Sequence, residues 1–159
     1  MRIGLLGCGN VGGGLVQLVA GERARIRERY GVELEIGRVL VRDRERDRAG
    51  VDRRAITTRA LDVLDSDCDV IVELIGGVHT AGSFVRRAIA SGRNVVTANK
   101  ALLAACGREL FAMAKRNRVS IGFEASVCGA VPVIRALRHG LAGDSIESIA
   151  GILNGTCNY

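Results

Sequence analysis

The chain has 159 residues, of which 48% are hydrophobic, 25% charged and only 3% aromatic, with no Trp. That length suits one domain burying roughly 70% of its unfolded surface, and its core must be aliphatic, as in a parallel sheet covered on both faces. No apolar run approaches the roughly 20 residues needed to cross a membrane, and Met1–Gly7 is too short and glycine-rich for a signal peptide, so a cytoplasmic location without membrane contact is expected. The net charge of +6 raises nucleic acid as a partner. Against it, the arginines are dispersed and the densest run, Arg42-Asp43-Arg44-Glu45-Arg46-Asp47-Arg48, carries its own counter-charges. Stacking platforms for bases are also scarce, so a solvated loop is expected there and no nucleic-acid partner. The five cysteines are widely spaced, without a CxxC pair or a His/Cys cluster, which favours reduced thiols over a zinc site.

In chain order, Arg2 to Leu6 predicts a short buried strand that runs straight into glycines. Leu15, Val19, Ile26 and Tyr30 recur at helical spacing, with Gly31 as a stop. Leu34 to Val41 predicts a second strand, followed by the charged loop and a poorly defined helix around Ala60 to Leu64. Val70 to Ile75 is an apolar run broken only by Glu73 and ended by Gly76-Gly77. Phe84, Val85, Ala88 and Ile89 form a helical stripe closed by Ser91-Gly92. Val95 to Ala98 is a strand, Leu103 to Ala114 a helix, and Val119 to Phe123 another strand. Pro132 suits a first helical turn and Gly140 the residue past its end. A last strand is expected over Ser148 to Leu153. This alternation predicts an α/β fold with a doubly wound parallel sheet, and the shift at Cys128 to Pro132 is the one place for a second domain to begin.

The sequence Gly7-Cys8-Gly9-Asn10-Val11-Gly12 sits between the first strand and an amphipathic helix, the context that turns a weak GxGxxG match into a dinucleotide-binding fingerprint. In that role Gly7 permits the tight turn, Gly9 lets the backbone approach a pyrophosphate, and Gly12 lets helix and strand pack closely. The helix N-terminus offers free N–H groups and partial positive charge to the phosphates. Gly13 and Gly14 exceed this pattern and weaken the first helical turn by about 1 kcal/mol each relative to Ala. After the second strand the chain carries Arg42 and Asp43. An acidic residue there would accept from the adenine-ribose hydroxyls, whereas an Arg would pair with a 2′-phosphate. Arg42 comes first after the apolar run, which favours NADP over NAD.

Four segments, Glu73-Leu74-Ile75-Gly76-Gly77, Thr97-Ala98-Asn99-Lys100-Ala101, Glu124-Ala125-Ser126-Val127 and Gly151-Ile152-Leu153-Asn154-Gly155-Thr156, occur in one order at plausible spacing. Together they closely resemble homoserine dehydrogenase, along essentially all of this chain but only over the amino-terminal part of that enzyme. The resemblance implies a Rossmann-type cofactor domain over residues 1–130. It also implies the incomplete start of a substrate and dimerisation domain over 131–159, the chain stopping before the catalytic half and therefore binding cofactor without turnover. It implies NAD(P)-dependent interconversion of L-aspartate 4-semialdehyde and L-homoserine in a homo-oligomeric parent, on the route to threonine, methionine and isoleucine. It places Asn10 and Val11 beside the pyrophosphate with the glycines, Thr97 and Lys100 near the nicotinamide, and Thr156 against the substrate. It also implies a sodium site built mostly from the backbone carbonyls of Glu124, Val127, Gly129 and Val131, and oxygen donors suit such an ion.

Lys100 also stands out by itself. It is one of two lysines among 23 basic residues, and it lies where a strand gives way to a helix, on the edge that faces the ligand crevice of an open α/β sheet. There it could hold the cofactor, orient the aldehyde or take part in proton transfer, as the candidate catalytic residue. Two other readings of the chain stay open on sequence: a stand-alone nucleotide-binding regulatory module without catalysis, and the cofactor half of another amino-acid dehydrogenase. Replacing Arg42→Asp is expected to weaken NADPH binding far more than NADH binding; similar losses in parallel titrations would end the assignment of Arg42 to the 2′-phosphate.

Overall fold

Short aliphatic runs that lead directly into turns form six strands: β1 (Arg2–Leu6), β2 (Glu35–Leu40), β3 (Ile56–Thr57), β4 (Val70–Glu73), β5 (Asn94–Thr97) and β6 (Ile121–Gly122). The structure is a computed structural model and describes residues 1–129 and 131–151. The strands pair in the order β3-β2-β1-β4-β5-β6, and every neighbouring pair is parallel. Helices α1 (Asn10–Gly21), α2 (Arg23–Tyr30), α3 (Leu61–Leu64), α4 (His79–Ala90), α5 (Lys100–Arg116) and α6 (Val133–Arg135) connect or follow them. The chain winds outward from β1 in one direction through β2 and β3, then in the other through β4, β5 and β6. The strand order therefore reverses between β1 and β4, and the carboxyl ends of those two strands open a crevice there.

Successive strand residues point to opposite faces, and two aliphatic layers result. Leu6, Ile71, Val95 and Ile121 pack with Val85, Ala88 and Ile89 of α4 and with Leu102 and Leu110 of α5. Ile3, Leu5, Val39 and Val72 pack on the other face with Val16 and Val19 of α1. Both faces are thus covered by helix, which is why the strands carry near-continuous Val, Ile and Leu rather than alternating polar residues.

Four elements differ from the sequence expectation. The single helix expected over Leu15 to Tyr30 is two: Glu22 leaves helical geometry (φ −98°, ψ 4°) and its N–H closes back on the Leu18 carbonyl. α1 buries Gly12, Val16 and Val19, whereas α2 buries no residue before its left-handed stop at Gly31, so tertiary packing holds only the first. The two-residue β3 is too short to produce a periodic signal. Pro132 to Gly140 forms one α turn, Val133–Arg135, that continues as a π turn, Ala136–Gly140, so Gly140 closes a turn rather than following a helix. The strand expected over 148–153 is not regular through residue 151, and residues 152–153 lie outside the described ones. Among the described residues no helix is long and apolar enough to cross a membrane.

Leu110 on α5 is fully buried in the larger layer. Leu110→Ala is expected to destabilise the fold by about 2–5 kcal/mol through lost burial and a residual cavity, measured as a lower urea midpoint at unchanged slope; a shift below about 0.5 kcal/mol would contradict this packing.

Candidate functional site

The crevice is shaped first by the turn that leaves β1. Gly7 has φ +98°, a conformation that glycine alone adopts without cost, and a Cβ there would stand 3.0 Å from the Leu74 carbonyl at the end of β4. A Cβ on Gly12 would lie 2.5 Å from the Gly7 carbonyl oxygen, so α1 docks against the turn only because this residue has no side chain. Gly9 is the N-cap residue of α1, without a side-chain hydrogen bond across the helix end, and nothing lies within 4 Å of where its Cβ would be. The first N–H groups of α1 are therefore presented to an open, solvent-facing space, with Asn10 and Val11 exposed around it. Uncapped amides and the positive end of the helix dipole suit a phosphate group.

The loop after β2 folds back over this turn. Arg48 Nε donates to the Cys8 carbonyl at 3.3 Å and its Nη1 to the Arg46 carbonyl at 2.6 Å. Burial pushes the Cys8 thiol above its ordinary value, and the attraction of Arg48 only partly opposes this. The thiol stays neutral and adds no negative charge to a surface suited to phosphate. Arg42 is exposed just beyond Val41, while the Asp43 carboxylate accepts from Glu45 N through Oδ1 at 2.9 Å.

On the other side of the crevice lies a connected polar network. Glu73 is the last residue of β4, in register with Leu6 of β1 and Thr97 of β5, and it is fully buried. Its Oε1 accepts from Ile75 N at 2.8 Å and Gly76 N at 3.0 Å, and its Oε2 accepts from Thr97 Oγ1 at 2.6 Å. Thr97 Oγ1 in turn accepts from Asn99 N at 3.0 Å. Asn99 caps α5 by accepting from Leu102 N at 3.1 Å and donates through Nδ2 to the Gly77 carbonyl at 2.6 Å. Ser126 Oγ donates to the Thr97 carbonyl at 2.8 Å. A buried polar group is costly unless satisfied, and here each carboxylate oxygen has partners. Lys100 is the first residue of α5, exposed immediately beyond this network.

The sequence-predicted residues thus fall into groups. Gly7, Gly9, Asn10, Val11 and Gly12 share the turn at the mouth of β1. Thr97 and Lys100 lie across the crevice mouth at the end of β5, with Thr97 buried rather than lining the surface. In the Glu124 loop, the Glu124 carbonyl accepts from Val127 N at 3.2 Å, the Gly129 carbonyl from Val131 N at 2.8 Å and the Val131 carbonyl from Val133 N at 2.8 Å. Each such oxygen keeps a second lone pair. The Glu124 carboxylate accepts from Ile134 N at 2.9 Å and Arg135 N at 3.0 Å, so it fastens the following helical turn to the end of β6. Among the described residues no group of three or more His, Cys, Asp or Glu could hold a metal ion. Thr156 lies outside the described residues. Sequence reasoning assigned no role to Glu73, Asn99 or Arg48. For Glu73 the available signal was a carboxylate inside an otherwise apolar strand.

A doubly wound parallel sheet with a glycine turn and an uncapped helix at its switch point defines a dinucleotide-binding domain of the Rossmann type. The family model described as the NAD-binding domain of homoserine dehydrogenase matches residues 7–124, and a second, described as homoserine dehydrogenase, matches residues 132–159. The chain belongs to the homoserine dehydrogenase family. It is 42% identical to the homoserine dehydrogenase of Bacillus subtilis and 42% identical to that of Neisseria gonorrhoeae, matching over its whole length but spanning 37% of each relative. The crystal structure of a homoserine dehydrogenase from Thiobacillus denitrificans superposes with a TM-score of 0.85 at 42% identity, over 91% of this chain and 34% of that one.

Asn99 does two jobs, and its variants separate them. Asn99→Ala is expected to cost about 0.5–2 kcal/mol through loss of the α5 cap, read as a lower melting temperature. Asn99→Asp, which keeps the acceptor and loses the donor to Gly77, is expected to recover the cap energy only; equal melting temperatures for both variants would refute this division.

Proposed function

We propose that this chain is the cofactor-binding part of an enzyme that interconverts L-aspartate 4-semialdehyde and L-homoserine with NADP(H). The observation that carries the reading is the turn between β1 and α1, where Gly7 and Gly12 exclude side chains and the uncapped helix end meets open space. These residues fit a dinucleotide: Gly9, Asn10 and Val11 would receive the pyrophosphate through backbone N–H groups. Arg42 would pair with the ribose 2′-phosphate. Arg42 is exposed and stands first beyond the apolar run at the end of β2, which supports NADP over NAD. When bound, the nicotinamide supplies or receives the hydride.

Lys100, at the start of α5, would orient the small carbonyl or hydroxyl substrate or exchange a proton with its reacting oxygen. Thr97 would act from beneath, through its hydrogen bonds to Glu73 and Asn99. Residues 1–130 would form the cofactor domain and 131–159 the first part of a substrate domain, in which Thr156 would contact substrate. That division is supported by the break between the two matched stretches and by the Glu124 carboxylate, which ties the first turn of the second segment to the end of the first. The carbonyls of Glu124, Val127, Gly129 and Val131 would share a sodium ion.

The test is calorimetric titration of the chain with NADPH and NADH, in sodium and in choline buffers, with a homoserine-oxidation assay on the same sample. The expected outcome is tighter binding of NADPH, stronger in sodium, without turnover by these 159 residues. Binding of neither cofactor would overturn the reading, equal binding in both buffers would remove the cation, and turnover would refute the need for further chain.

A further inference from the structure

We propose that Glu73 is a positioning residue for the nicotinamide half of the cofactor, an inference that rests on the cofactor reading above. Two amide hydrogens of the β4 loop, those of Ile75 and Gly76, are drawn inward onto its Oε1 at 2.8 and 3.0 Å. No peptide bond in the described chain is cis, and in a trans peptide the carbonyl points opposite to the N–H. The Leu74 and Ile75 carbonyls are therefore turned away from the buried carboxylate. The Leu74 oxygen does lie against the glycine turn, 3.0 Å from the Gly7 Cβ position. The Ile75 carbonyl belongs to a loop whose Ile75 and Gly76 are exposed, so it is open to a ligand at the carboxyl end of β4.

The crevice is thereby polarised. Its α1 side offers donors, which suit the anionic pyrophosphate. Its β4 side offers the Ile75 carbonyl, an acceptor that suits a donor of the nicotinamide half, the carboxamide NH2 or a ribose hydroxyl. The same carboxylate reaches, through Oε2 and the Thr97 hydroxyl, the Asn99 amide that precedes Lys100. One buried group therefore sets both the acceptor edge and the start of the helix that carries the lysine. Glu73 itself has no exposed surface, so it acts through these neighbours and touches neither cofactor nor substrate.

The test compares NADPH with 2′-phospho-ADP, which keeps the adenine-ribose half and both bridging phosphates but lacks the nicotinamide riboside, by calorimetry on the whole chain; if NADH proves the tighter cofactor, the pair becomes NADH and ADP. Glu73→Gln keeps the size of the side chain but replaces one acceptor oxygen by a donor, so it cannot serve all three donors as the carboxylate does. The Kd for the dinucleotide is expected to rise about tenfold, the scale of one lost directed contact, while that for the nicotinamide-free ligand changes by less than about twofold, within the scatter of an uncoupled surface site. An equal loss for both ligands overturns the proposal, since a merely structural role would move both, and so does no change in either. If Glu73→Gln fails to fold, Thr97→Val, which removes the hydroxyl that donates to Glu73, is measured in its place. The same selective loss supports the proposal, and an equal loss or none overturns it. A failure of the cofactor reading is seen separately, in the unsubstituted chain, as binding of neither ligand.

Discussion

The contact between α1 and the turn that leaves β1 is the constraint on which the crevice depends. Gly12 stands so close to the Gly7 carbonyl that a Cβ would meet it at 2.5 Å, and Gly7 adopts φ +98° against the end of β4. With those two positions free of side chains, the helix axis comes down onto the sheet exactly where strand order reverses, and its first amides face the opening. Filling either position would move the helix, open the layer built on Val16 and Val19, and displace the amides that a phosphate needs.

Around that contact the two sides of the crevice are built from different chemistry. On the β1 side, backbone N–H groups and the helix dipole supply positive potential, while the Cys8 thiol is held neutral by burial. On the β4 side, a buried carboxylate gathers two amides and a hydroxyl. A carboxylate removed from water needs that degree of satisfaction. The network therefore makes the loop after β4, the end of β5 and the cap of α5 one hydrogen-bonded unit rather than three independent loops.

Much of this was legible in the residues. The strand, glycine turn and amphipathic helix at the amino terminus follow from local conformational preferences, which depend on few neighbours. The aliphatic strands and the alternation of elements follow from the need to bury both faces of a parallel sheet. Family motifs brought Thr97 and Lys100 forward, and the structure sets Thr97 at the end of β5 and Lys100 at the start of α5. Less was legible where burial rather than propensity decides. The break at Glu22 reflects the loss of a buried face beyond Gly21, and β3 exists only because β2 offers an edge to its two residues. Glu73 was visible as an anomaly in an apolar run, but its partners were not.

The sequence by itself determined the α/β alternation, the glycine fingerprint with its conformational demand at Gly7, the aliphatic core and the basic, self-compensated loop after β2, because each is set by residues adjacent in the chain. Only the tertiary structure decided that Glu73 would meet Thr97, 24 residues away, and that Arg48 would reach Cys8 across 40. Hydrogen-bond partners of this kind follow from which strands become neighbours, and that is settled by packing the whole sheet between its two helical layers.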